Sequence, residues 1–149
     1  MTTDGRSFLT DAGLVLVMLG VVASAVANWF FSGLVFFGEQ LTRDDHRSMG
    51  LGFALAAAVL VLALAPAFAL RARGWVFVVA LVLAGGCAFL ASASWHEMAA
   101  APPDEYPEPW AALQVMAWCP TGWPLYLLIL ATPWLRGRSS PRPRSPQAH

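Results

Sequence analysis

The sequence predicts an all-α protein, a multi-pass transmembrane bundle of four antiparallel helices whose fourth helix is broken near Pro120 and Pro124. Three observations lead there. Hydrophobic residues fill 58% of the 149 positions and charged residues only 12%, too few to clothe a water-soluble domain of this length. The apolar residues gather into four runs without a single charge, at 14–37, 49–70, 75–95 and 110–135. The charges lie between and beyond these runs, and a stretch of about 20 apolar residues is what a helix needs to cross a ~30 Å hydrocarbon core.

The first run reaches roughly 36 Å as a helix, enough to span with tilt. Within it Ala25-Val26-Ala27 has the small-residue pattern of a signal-peptidase site, which gives a rival reading as a cleaved signal. Asp4 and Asp11 ahead of the run, and its continuation through Trp29, Phe30, Phe31 and Phe37, favour a retained span. The second and third runs are joined only by Arg71-Ala72-Arg73-Gly74, a turn so short that the two helices must form an antiparallel hairpin. In the fourth run, Cys119-Pro120-Thr121-Gly122-Trp123-Pro124 places two prolines and a glycine where they break or kink a helix. Neither half is long enough to span alone, so a single broken helix is expected; the alternative lays 110–118 in the interface. Residues 1–135 then form one membrane domain, and the Arg/Pro/Ser-rich residues 136–149 a disordered tail.

Orientation follows from the arginines, which supply all nine basic residues. With both termini cytoplasmic, the inside holds Arg6, Arg71, Arg73, Arg136, Arg138, Arg142 and Arg144, and the outside only Arg43 and Arg47. The segment 96–109 has no Arg but carries Glu97, Asp104, Glu105 and Glu108, as an outer loop of a plasma-membrane protein would. Trp75, Trp95, Trp110 and Trp134 stand at span ends as an aromatic belt. The arginines of the tail should attract anionic lipid headgroups. Nine acidic residues balance the nine basic ones, which argues against nucleic acid as a partner.

Helices in lipid associate through small residues that let backbones approach. On the first span Gly20, Ala23, Ser24, Ala27, Asn28 and Ser32 share one face, expected to seat on its neighbours, with a polar lining along Gly20, Ser24, Asn28 and Ser32 as the sharper alternative. The third span repeats Ala80, Ala84, Ala88 and Ser92 around Gly85-Gly86, and the second offers Gly50, Ala54 and Ala58. Cys87 and Cys119 fall at similar depth; two inert buried thiols are expected, a disulfide being the alternative.

No ionisable residue falls within a predicted span, and no Ser/His or paired-carboxylate arrangement suits catalysis, so neither an enzyme nor a proton-coupled carrier is expected, and no cofactor is implied. His46, His96, Glu97, Asp104 and Glu105 are the weak candidates for a metal site, without any recognised ligand spacing. In its length, four spans, short inner turn, acidic outer loop and Arg/Pro-rich tail, the chain resembles small uncharacterised four-helix membrane proteins of actinobacteria. That resemblance covers the whole chain, rests on no diagnostic motif and implies no activity. The expectation is a non-enzymatic accessory or interaction protein, acting through a membrane-protein partner or as a homo-oligomer. Its alternatives are a small oligomeric transport or channel component, or an extracytoplasmic metal or redox site.

Overall fold

The computed structural model describes residues 3–34, 41–103 and 123–138. Their regular structure is entirely helical: α1 (Thr3–Leu34), α2 (Arg43–Leu62), α3 (Leu64–Ala69), α4 (Gly74–Met98) and α5 (Trp123–Arg138). Three segments, Phe8–Phe30, Arg43–Ala69 and Gly74–Met98, are long and apolar enough to cross a membrane. Their outer surfaces carry the side chains that water would reject: Leu16, Phe68, Val82 and Phe89 are each at least 66% exposed. Large apolar residues facing outward around a packed interior are what a hydrocarbon surround permits.

The helix α1 begins well before the uncharged run, and its buried seam reaches ahead of that run to Asp11. Asp11, Leu14, Met18, Val21, Ala25 and Asn28 recur at alternating steps of three and four residues, and each is at most 2% exposed. Such spacing keeps one face of a helix turned to a neighbour. Its members are bulkier than expected: Ser24 is buried beside it, but Ala23 is exposed and Gly20 and Ala27 only half-buried.

The helix α2 starts at Arg43, ahead of its apolar run, because Thr42 caps it. Thr42 Oγ1 accepts the backbone N–H of Asp45 at 3.4 Å, and Asp45 Oδ2 accepts the N–H of Thr42 at 2.9 Å, a reciprocal capping box. Asp44 and Asp45 also place negative charge in the first turn, where the helix dipole favours it. Near its other end the helix is interrupted at Ala63. Pro66 lacks an N–H, and its ring crowds the carbonyl of Leu62, so the ladder breaks there and resumes as α3.

The turn into α4 is a Schellman motif. The N–H of Ala72 donates to the carbonyl of Ala67 at 2.9 Å and that of Arg71 to the carbonyl of Phe68 at 3.1 Å. Arg71 has φ 55°, the left-handed conformation that glycine usually supplies at this position.

The helix α4 packs chiefly on α2, and α1 packs on α2 more than on α4. Val76, Ala80, Ala84, Cys87 and Ala91 form its buried stripe. The expected stripe holds for Ala80 and Ala84 and then shifts, leaving Ala88 and Ser92 exposed. Steps of four residues advance 400° around a 3.6-residue helix, so a strict four-residue repeat drifts off a straight contact line by about 40° per step. A single step of three, to Cys87, restores it. The glycines Gly85 and Gly86 lie on the open side, where an added Cβ would meet nothing within 4 Å. On α2, Gly50 is buried, Ala54 half-buried and Ala58 exposed.

The helix α5 packs on α3 and α1. Pro124 lies in its first turn and Pro133 inside it; Pro120, Trp110 and the first part of the expected fourth run lie outside the described residues, as does the tail beyond 138.

Candidate functional site

Polar groups concentrate at the two ends of the packed helices. At the Arg-rich end, α1 delivers Asp11, only 2% exposed, to the start of α4. Asp11 Oδ1 accepts the backbone N–H of Arg73 at 3.3 Å, and Oδ2 lies 3.8 Å from Arg73 Nε. Arg73 is the N-cap of α4, and its own side chain makes no capping bond. Asp11 thus caps α4 from another helix, placing a carboxylate where the dipole and the orphan N–H groups favour one.

Beside this pair opens a cleft of about 690 Å³, lined by Phe68, Ala69, Arg71, Ala72, Gly74, Phe77 and Arg136. Two arginines from separate segments therefore stand on one mainly apolar cavity. Among the described residues neither Arg71 nor Arg136 forms an ion pair with a carboxylate.

At the far end, His46 on α2 is 9% exposed, with Nδ1 3.7 Å from Glu97 Oε2 on α4. The structure thus brings together two of the weak metal candidates. His96 is exposed, while Asp104 and Glu105 lie outside the described residues. Among the described residues no group of three or more His, Cys, Asp or Glu side chains is placed to hold a metal ion. Arg43 does a different job here: its backbone N–H donates to Pro102 O at 3.0 Å and its Nε to Ala101 O at 2.9 Å, tying the start of α2 to the segment leaving α4. Trp95 packs over Gly50, whose missing side chain makes room for the indole.

The polar residues along the helices turn to backbone carbonyls. Ser24 Oγ donates to Gly20 O at 2.9 Å, Ser92 to Phe89 O at 2.7 Å, Ser94 to Leu90 O at 3.0 Å and Thr132 to Leu128 O at 3.0 Å. Asn28 reaches across to α2, donating from Nδ2 to Ser48 O at 3.4 Å, while its Oδ1 has no hydrogen-bond partner among the described residues. Of the expected polar lining, Gly20 is half-buried, Ser24 and Asn28 are buried, and the side chain of Ser32 lies outside the described residues. Cys87 is buried as a free thiol on α4, whereas Cys119 lies outside the described residues.

On the outer surface between α2 and α4 runs an apolar groove of about 670 Å³, lined by Ala57, Ala58, Val61, Leu62, Leu81, Ala84, Gly85 and Ala88.

Compared with protein-family models, with curated proteins and with solved structures, the chain matches none.

Proposed function

We propose that the chain is a multi-pass protein of the plasma membrane, spanning it four times as an antiparallel bundle with both termini cytoplasmic, and that it serves as a non-enzymatic accessory of another membrane protein. One observation carries the accessory reading: Ser24 and Asn28, from which a polar path would have to be built, turn instead to the backbones of α1 and α2. Ser24 is spent on its own helix and Asn28 joins α1 to α2, whereas a polar lining needs both facing an opening. The small-residue groove between α2 and α4 suits the approach of a partner's apolar transmembrane helix, since alanines and glycines let backbones come close. The bias of arginines supports the orientation, and α5, joined to the part of the fourth run ahead of it across the Pro120 and Pro124 break, supplies the fourth crossing.

A native mass spectrum of protein extracted gently from its own membrane tests the reading. The expected result is a reproducible co-purifying membrane protein, lost when Gly85→Leu fills the groove. A bare monomer would sink the accessory role. A homo-oligomer would favour a transport or channel component, and a metal-sized mass increment lost on chelation would favour a site built on His46 and Glu97.

A further inference from the structure

We propose that the cleft between the α3–α4 turn and the end of α5 binds the phosphate-bearing headgroup of an anionic phospholipid, gripped by Arg71 and Arg136. The inference rests on the reading of the chain as a membrane protein and names a specific lipid site on it.

Four observations carry it. The two arginines come from different segments and line the same cleft, so folding brings together basic residues that the sequence keeps apart. Arginine presents planar N–H donors that match phosphate oxygens, and two of them on one cavity can hold a headgroup from two sides. Next, the nearby carboxylate is already committed: Asp11 is occupied by Arg73, and neither Arg71 nor Arg136 has a carboxylate partner among the described residues. The remaining walls are largely apolar, from Phe68, Ala69, Ala72 and Phe77, with Phe68 71% exposed. A free phosphate needs no apolar wall, whereas a phospholipid brings acyl chains that would lie along these phenylalanines. Finally, Arg71 keeps a left-handed backbone at a position where glycine would be unstrained. Strain retained at a charged side chain on a cleft is accounted for when that side chain has a ligand.

The expected arrangement seats the phosphate between Arg71 and Arg136 at the headgroup level of the cytoplasmic leaflet. Arg73 stays with Asp11 and contributes no donor to the phosphate.

Native mass spectrometry of the full chain in detergent, titrated with phosphatidylglycerol or phosphatidylcholine, tests the proposal. Wild type should retain phosphatidylglycerol preferentially. Arg71→Gly and Arg136→Gln should each weaken that binding about fivefold, as the loss of one arginine near an anionic headgroup implies, with a smaller loss for phosphatidylcholine, whose phosphate is balanced by its own choline cation. Arg71→Gly keeps the turn in a conformation glycine accepts, so a loss of binding with an unchanged melting temperature cannot come from misfolding. Equal phosphatidylglycerol binding by wild type and the double variant would overturn the site. Displacement of the lipid by millimolar inorganic phosphate would assign the cleft to a free anion and overturn the lipid proposal; retention supports it. Resistance of the chain to alkaline carbonate extraction is scored separately: a chain released by carbonate fails the membrane reading, whereas a resistant chain with no lipid preference fails only this inference.

Discussion

Asp11 and Arg73 join the first helix to the start of α4 through two contacts of different kind, a backbone hydrogen bond at 3.3 Å and an ion pair at 3.8 Å. The two partners are unequal. The Asp11 side chain is 2% exposed and that of Arg73 48%, so the carboxylate depends on the contact more than the guanidinium does.

Asp11→Ala leaves the N-cap N–H of α4 without its acceptor but takes the buried charge away with it; Arg73→Ala keeps the backbone bond and leaves the carboxylate buried without its cation. Thermal unfolding in detergent should therefore show both changes as damaging, Asp11→Ala by about 1–3 kcal/mol and Arg73→Ala by at least as much. A loss under about 1 kcal/mol for Arg73→Ala would mean that the ion pair contributes little.

Arg71→Gly should stabilise the α3–α4 turn. A non-glycine residue in the left-handed region costs on the order of 1 kcal/mol, and the greater freedom of glycine in the unfolded chain offsets part of the gain. The net expectation is a melting temperature unchanged or slightly raised, with Arg71→Ala lower than Arg71→Gly. A clear fall for Arg71→Gly would show that the arginine side chain holds the turn.

Gly50 and Trp95 predict a change of sign. A Cβ at Gly50 would stand 2.6 Å from Trp95 Nε1 and 2.7 Å from Cδ1, so Gly50→Ala must displace the indole and should cost about 1–3 kcal/mol. In a Trp95→Ala background the same change meets no indole and gains from the better helix propensity of alanine, by up to about 1 kcal/mol. Four melting curves complete the cycle, and additive effects would rule out the contact.

Topology gives a prediction independent of packing. Single cysteines at Ala100 and Gly137, introduced after Cys87→Ala and Cys119→Ala, should react differently with a membrane-impermeant maleimide added to intact cells. Position 100 should label and position 137 should label only after lysis. The reverse pattern would invert the orientation.

The thiols are separately testable. Alkylation in denaturant without reductant should label both Cys87 and Cys119, as expected of inert packed cysteines. Protection of both, relieved by reductant, would establish the bridge.

Hydropathy found the three apolar segments because that signal is local: every residue of a spanning run meets the same solvent. It missed where the helices begin, since the first turn of α2 is charged and only the Thr42 and Asp45 pairing identifies it as helix. That pairing was legible in the sequence, as was Pro66, whose missing N–H explains the break at Ala63. Asp11 was not. It stands just ahead of the first uncharged run, where a carboxylate reads as solvated, and only folding reveals a partner at Arg73. Small residues misled for a related reason: Ala80 and Ala84 mark the contact face, but Gly85, Gly86, Ala88 and Ser92 have the same chemistry and face outward. Which side of a helix meets protein is decided by neighbours that lipid does not distinguish from itself. The cleft under Arg71 and Arg136 belongs to the same class, because neither arginine announces the other.

The seam of α1 is apolar from Leu14 to Ala25, with Asp11 at one end and Asn28 at the other. An apolar row alone would settle almost as well one turn higher or lower, a displacement of about 5.4 Å. Its two polar ends make the helix a gauge block. They stand about 26 Å apart at 1.5 Å per residue, close to the ~30 Å depth of a hydrocarbon core, and each fits one counterpart, Arg73 or the carbonyl of Ser48. Sliding α1 by a turn would drag a carboxylate or an amide away from its acceptor or donor. In a thicker or thinner bilayer, α1 and its neighbours should tilt together, or the lipid should deform around them, with their mutual height unchanged.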